Sequence, residues 1–355
     1  MILFAEQVQG KQSTQRGYRP GMGGYRALPG AVLTGKPVHR ASQEVPMSKM
    51  LLCLAAIALA ASAVAAASTG AAAAGPCGRT AAPPAYRHVI WIWMENRSYG
   101  DIIGNRSQAP YLNVLASECG LATNYHNISH PSLPNYLAAT SGLSRGHLPI
   151  LSWLDCHASL ICRTSAASIF GQGETWEAYE ESMPARCDTS SSGDYAASHN
   201  PPPYYQTLSG CASRDVPYAR LAADLAGHAL PAFSFIAPNI IDDMHNGTIA
   251  DGDAWLARHL PAILNSPEYR SGTTAVFITW DEGSGGYPVE NCATNTTDAS
   301  CRVATIVISP STPAGARSGT LFNHYSLLET AEQLLGLPRL GQAASYPTMT
   351  APFRL

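Results

Sequence analysis

Apolar residues in this chain gather into short unbroken runs separated by longer stretches of helix-like spacing. His88–Met94 reads HVIWIWM, the kind of run required by a strand buried on both faces. Phe233–Ala237, Ala275–Trp280 and Val303–Ser309 read the same way, and Leu121–Asn127 is a weaker strand-like stretch. Between them the spacing predicts helices over Ala109–Cys119, Leu133–Thr140, Tyr218–Ala226, Asp253–Asn265 and His324–Leu335. Pro134 fits the first turn of the second of these. Strands alternating with helices predict an α/β fold, a three-layer sandwich around a mostly parallel sheet. The regularity breaks between about Ser144 and Asp215, which holds four cysteines, a Ser-rich run and Pro201–Pro203. That stretch is expected to be a disulfide-stapled cap inserted over the sheet, with one short helix near Thr175–Glu181. Tyr287–Cys301 reads as a second loop insertion.

The first 74 residues follow another pattern. Lys49 precedes an apolar run, Leu51–Val64, and small residues with Ala-x-Ala sites follow it, which is the order of a secretory signal peptide. As a membrane anchor the run would fall short of the ~20 residues that span a bilayer. Residues 1–46 carry scattered Gly, Arg and Gln without periodicity, so Met47 or Met50 reads as the true start. Residues 47–74 are then a signal peptide and 75–355 one secreted domain. Cys53 lies inside the apolar run, leaving Cys77, Cys119, Cys156, Cys162, Cys187, Cys211, Cys292 and Cys301. An even number in an exported chain predicts four disulfides. Cys156 is near Cys162 and Cys292 near Cys301; Cys187 with Cys211 and Cys77 with Cys119 are the simplest remainder among roughly a hundred formal pairings. Zinc is the competing use of cysteine, but no Cys-x-x-Cys spacing occurs.

Composition narrows the function. The chain is 46% hydrophobic and 13% charged, and its formal net charge of -3 gives no electrostatic reason to bind nucleic acid. Residues 1–74 hold seven of the 22 basic and two of the 25 acidic side chains, so the other 281 residues carry 15 against 23, a net of -8. None of those 15 is lysine, which excludes a Walker-type lysine or a Schiff base there. No Gly-x-Ser-x-Gly elbow lies at a predicted strand-turn-helix, and no Gly-x-Gly-x-x-Gly follows the first strand.

In an open parallel sheet, functional groups collect at the carboxyl ends of strands. Glu95-Asn96 follow the first strand, Asp242, Asp243 and His245 follow Phe233–Ala237, and Asp281-Glu282 follow Ala275–Trp280. Ser132 opens a helix after His130-Pro131, and His324 opens the last one. A hydroxyl at a helix N-terminus sits where phosphate is favoured, and a nearby cation would make it a nucleophile without a histidine base. Read alone, such a serine is an ordinary helix cap. Carboxylates converging in one cleft repel one another unless a cation holds them, and Asn96, His245 and His324 are neutral ligands beside them.

Five motifs carry a resemblance: ENRS (Glu95–Ser98), HPSLPNYLAATSG (His130–Gly142), DDMHNG with DGDAWLARHL (Asp242–Leu260), TWDEG (Thr279–Gly283) and NHYSLLETAEQLLGLP (Asn323–Pro338). In this order they resemble the phosphoesterase family that joins bacterial phospholipases C to secreted acid phosphatases, within the alkaline phosphatase superfamily. The resemblance covers most of Tyr86–Pro338 and implies an alkaline-phosphatase-like fold. It implies Ser132 as a nucleophile forming a phosphoseryl intermediate, and Glu95, Asn96, Asp281 and Glu282 as metal ligands. Asp243, His245 and His324 fall where the superfamily places a second metal or groups that contact phosphate. His130 and His199 are candidates for phosphate contact or for protonating the leaving group. The wider superfamily has Asp on the first strand and Asp-His later, where this chain has Glu95 and Asp281-Glu282. Such oxygen-rich ligation suits one Mg2+- or Ca2+-like ion at least as well as two zincs. The implied activity is that of a secreted acid phosphomonoesterase acting on a phosphate monoester or phosphoinositide, phosphatidylinositol 3-phosphate included. At most transient contact with a membrane surface is expected, and no obligate protein partner. A phospholipase C-type phosphodiesterase with the same centre is the alternative. A non-catalytic binding module would have lost Ser132, Asp281 or Glu282, and all three are present.

Overall fold

The unbroken apolar runs form the middle of a nine-stranded sheet, where aromatic and β-branched side chains pack on both faces of a pleated surface. A computed structural model describes residues 75–286 and 291–355, so residues 1–74, on which the expected signal peptide falls, and residues 287–290 lie outside the described residues. The strands are β1 (His88–Met94), β2 (Gly120–His126), β3 (Trp176–Glu180), β4 (Asp215–Pro217), β5 (Phe233–Ala237), β6 (Thr274–Trp280) and β7 (Arg302–Ile308). Two short strands, β8 (Arg317–Ser318) and β9 (Phe322–Asn323), both pair with β2. The order across the sheet is β4-β3-β5-β1-β6-β7-β2-β8.

Among the described strands, only β7 runs antiparallel to its neighbours, β6 and β2. Two reversals cancel, so β2 is again parallel to β6. The carboxyl ends of β1, β2, β3, β5, β6 and β9 therefore share one edge, and that edge positions the site.

The longer helices are α1 (Pro110–Glu118), α2 (Ser132–Ser141), α3 (Arg220–Ala226), α4 (Ile249–Leu264) and α5 (His324–Leu335). α2 packs on α5, and α4 packs on α1 and α3, completing the expected three-layer sandwich. Asp253 of α4 accepts the amides of Tyr111 and Leu112, so one helix satisfies the first-turn donors of another. Trp93 of β1 is fully buried, with ring centroids 4.9 Å from Tyr136 and 4.8 Å from His324. Truncating a core side chain of this size costs about 3–5 kcal/mol, and here it would also loosen both helices that carry site residues.

Two expectations are corrected. The stretch Thr175–Glu181 is not a helix: Trp176–Glu180 is β3, bonded along β5 from Trp176↔Phe233 to Glu180↔Ala237. Glu and Ala in WEAYE favour a helix and Trp and Tyr a strand, and five residues are too few for local preference to decide. Pairing with β5 decides it, and the inserted stretch supplies the sheet's β3 and β4 instead of only covering it. α4 starts at Ile249, four residues before the expected Asp253, because Thr248 and Asp251 form a capping box.

The disulfides are Cys77–Cys119, Cys156–Cys162, Cys187–Cys211 and Cys292–Cys301, the simplest pairing. They leave no free thiol among the described residues, so the competing use of cysteine as a zinc ligand falls away there. Among the described residues, no helix is long and apolar enough to cross a membrane.

Candidate active site

Because β5, β1 and β6 are neighbours, the residues that leave their carboxyl ends are neighbours too. The register Met94↔Trp280 sets Glu95 beside Asp281, whose amide donates to the Met94 carbonyl at 3.0 Å. The Glu95 amide donates to the Asp243 carbonyl at 2.8 Å, tying the loop after β5 to the end of β1. Asn96 then takes a left-handed conformation (φ 49°) and donates its amide to Asp281 Oδ1 at 3.1 Å. A non-glycine residue there costs on the order of 1 kcal/mol, a strain typical of sites that the surrounding structure over-determines.

Glu95 is the hub. It is fully buried, and its Oε2 accepts from Ser132 Oγ at 3.0 Å while its Oε1 accepts from the Tyr136 hydroxyl. His199 Nε2 lies 3.5 Å from Oε1, and His199 Nδ1 lies 3.1 Å from Asp243 Oδ2. The His199 ring stacks on Tyr136 at 5.6 Å. Burial holds the Glu95 carboxyl well above the usual range, and the charges of Asp281 and Asp243 push the same way. Burial likewise pushes Asp281 up to about 6. For His199 burial alone would lower the value, but the hydrogen bond and charge of Asp243, with Asp281 and Asp155, raise it above the ordinary one. Carboxylates gathered in a dry cluster resist sharing negative charge without a counter-ion.

The donor set fits a cation. Asn96 Oδ1 and Asp281 Oδ2 are buried with no hydrogen-bond partner, a state that buried oxygens rarely keep. Oxygens in that state beside repelling carboxylates suit a hard divalent ion. Glu95, His199 and His245 also bring ligand atoms within 4.8 Å of one another, His245 from the exposed side.

Ser132 is the first residue of α2 and only 4% exposed. The next amide, that of Leu133, is taken by Asp155 Oδ1 at 2.8 Å, so a carboxylate from the inserted stretch already holds one donor of the helix N-terminus. Asp243 Oδ1 accepts the His245 amide at 2.6 Å, which fixes the turn presenting that imidazole.

Glu282 faces other partners. Its Oε2 lies 2.9 Å from His130 Nδ1 and 3.5 Å from Asn135 Nδ2. Burial, with the charges of Asp281 and Asp155, pushes this carboxyl up to about 10, while burial lowers His130. His324 Nε2 lies 2.7 Å from the Asp281 carbonyl and its Nδ1 3.0 Å from the Tyr125 hydroxyl. A carbonyl can only accept, so Nε2 carries the proton and Tyr125 donates to Nδ1. Burial pushes His324 down to about 4, keeping it neutral with both nitrogens engaged. Asp242 pairs instead with Arg258 at 3.6 Å.

Four contributors escape the sequence reading: Tyr125, Asn135, Tyr136 and Asp155. Ser132 and Tyr136 stand four residues apart on one helix, which places them on the same face, so that signal was available. Asn135, whose Oδ1 accepts the Ile128 and Ser129 amides, lies in the same motif. Tyr125 and Asp155 reach the site only through tertiary contacts and carry no local signal.

Comparison with known proteins identifies the family. The family model described as the phosphoesterase family matches residues 105–338. A phosphatidylinositol-3-phosphatase of Mycobacterium tuberculosis is 32% identical over 76% of this chain and 84% of its own length. A phosphate-repressible acid phosphatase of Penicillium chrysogenum is 29% identical over 73% of this chain, which spans 61% of that enzyme. Among solved structures, the phosphonate monoester hydrolase of Agrobacterium radiobacter aligns with a TM-score of 0.51 at 13% identity, covering 76% of this chain and 77% of that one. A putative sulfatase from Bacteroides thetaiotaomicron aligns at 0.53 and 11% identity, covering 76% and 75%. These structural likenesses carry the fold alone. The family match takes in the serine helix, the carboxylates after β5 and β6 and the opening of α5, and the chain belongs to the phosphoesterase family.

Proposed function

We propose that this chain is a secreted phosphomonoesterase in which Ser132 is the nucleophile. The observation that carries the reading is the Ser132 hydroxyl, 3.0 Å from Glu95 Oε2 at the start of α2, beside buried oxygens of Asn96 and Asp281 that have no partner. Glu95, Asn96 and Asp281 would hold a divalent cation of the Mg2+ or Ca2+ kind, and Asp243, His199 and His245 belong to the same cluster. Such an ion lowers the pKa of a neighbouring hydroxyl and offsets charge on phosphoryl oxygens.

Ser132 Oγ attacks phosphorus in line as its proton passes to Glu95 Oε2. The Oγ–P bond forms, the bond from phosphorus to the leaving alcohol breaks, and His199, held by Asp243, protonates that alcohol. Water, giving its proton to the now neutral His199, then attacks phosphorus; the Oγ–P bond breaks, Glu95 returns its proton to Ser132 Oγ, and phosphate is released. His324 acts as a positioning residue, holding the backbone of Asp281 with one nitrogen and Tyr125 with the other. His130 orients Glu282. Relatives named for acid phosphatase and phosphatidylinositol-3-phosphatase activity support a phosphate monoester as substrate, phosphoinositide headgroups included. Four disulfides support an oxidising, extracellular destination.

The test is p-nitrophenyl phosphate hydrolysis by Ser132→Ala, with and without EDTA in the parent, alongside an acid-quench search for phosphoserine. Loss of turnover with unchanged circular dichroism is expected. Activity in Ser132→Ala above a few per cent of the parent removes the serine from this role. Hydrolysis of phosphatidylcholine in preference to monoesters points to a phosphodiesterase.

A further inference from the structure

Six large aliphatic side chains are exposed among the described residues, and four of them crowd into one twelve-residue span. Ile150 is 81% exposed, Leu154 74%, Leu160 81% and Ile161 70%. They stand on two adjoining tips, a 3-10 turn at Ile150–Leu154 and the loop closed by Cys156–Cys162. The tips are not loose ends. Tyr204 donates its hydroxyl to the Cys156 carbonyl at 2.6 Å, Arg163 Nε donates to the Pro203 carbonyl at 2.7 Å, and Asp155 accepts the Leu133 amide. The fold thus fixes this loop from below and leaves its apolar side chains in water, which clustered exposure of this kind reserves for an external partner.

Charge says which partner. The -8 carried by residues 75–355 is reversed locally: Ser144–Arg163 holds Arg145, Arg163, His147 and His157 against one carboxylate, Asp155, which is turned inward. The Arg145 guanidinium lies 5.1 Å over the half-buried Trp153 ring. Protruding aliphatic tips with a tryptophan and arginines behind them are the chemistry of an interfacial anchor for an anionic membrane surface. The contact between Asp155 and Leu133, next in sequence to Ser132, sets these tips beside the serine.

We propose that residues 145–163 dock this protein on an anionic lipid bilayer. Ile150, Leu154, Leu160 and Ile161 enter the acyl boundary, and Arg145 and Arg163 meet the headgroup phosphates. Docking needs no catalysis, so it stands or falls apart from the phosphatase reading.

The experiment is co-sedimentation of the purified full-length secreted protein with vesicles of phosphatidylcholine alone or with a minority of phosphatidylserine, which is not a phosphomonoester. The variants are Ile150→Ser/Leu154→Ser/Leu160→Ser/Ile161→Ser and Arg145→Gln/Arg163→Gln. The parent is expected to partition onto the anionic vesicles, and the serine variant at least about tenfold less. The glutamine variant should lose about fivefold per arginine on anionic vesicles, with no change on phosphatidylcholine. p-Nitrophenyl phosphate turnover of the serine variant should match the parent, showing that it is folded. If no protein hydrolyses that substrate, the phosphatase reading fails while the vesicle result still decides docking. Equal partition of parent and serine variant, or no partition of the parent, overturns the proposal. So does a parent dimer in sedimentation velocity that the serine variant dissolves while neither binds vesicles, because the tips would then meet a second copy of the chain.

Discussion

Tyr136→Phe deletes one oxygen from the middle of the site and leaves the ring. That ring is fully buried, stacked on His199 at 5.6 Å and packed 4.9 Å from Trp93, and phenylalanine keeps these contacts. What disappears is the hydroxyl that donates to Glu95 Oε1. If a bound cation keeps Glu95 ionised, a hydrogen bond to its carboxylate contributes about 1.5–3 kcal/mol. His199 Nε2, 3.5 Å from the same oxygen, can close in and replace part of it, which favours the low end. If Glu95 must hold its place to receive the Ser132 proton, about 1.5 kcal/mol appears as a roughly tenfold fall in kcat. KM should hardly move, since Tyr136 acts through Glu95 and not on the substrate. Steady-state p-nitrophenyl phosphate kinetics with a melting curve for each protein test this. Tyr136→Leu, which also gives up the ring stack, should in addition melt earlier. A Tyr136→Phe protein with kcat within about twofold of the parent at unchanged Tm refutes the positioning of Glu95 by this hydroxyl.

Two further outcomes concern stability. Asp215 is buried beside Glu180, accepts from Asn200 Nδ2 at 2.8 Å, and is pushed up to about 7, chiefly by burial. A carboxyl raised in the folded state adds stability that is fully present below its unfolded value near 4 and lost as pH rises through about 7. The parent should therefore lose stability relative to Asp215→Asn between pH 4 and pH 8, by up to about 4 kcal/mol in urea unfolding. A flat difference contradicts the assignment. Among the disulfides, Cys77–Cys119 spans 42 residues and Cys156–Cys162 only six. Loop-closure entropy makes the first worth about 4 kcal/mol and the second about 2. Paired Cys→Ala replacements should lower Tm in that order, and the reverse order would show native-state strain outweighing chain entropy.

Much of this protein can be read without coordinates, because its strands are buried on both faces. A run such as HVIWIWM has no other stable place than the middle of a sheet, and the acidic residues just beyond such runs had to gather at one edge. The serine at a helix start and the four disulfides follow from local chemistry in the same way. Tertiary structure alone decided three things. WEAYE became a strand because β5 offered pairing partners. Glu95 came to share a cluster with Asp281 and Asp243 through the register of three neighbouring strands, and Asp155 arrived at the serine helix from a stretch with no periodicity. Local pattern encodes which face of an element is apolar; which polar groups meet across elements, and which apolar tips stay in water, depends on pairings far apart in the chain.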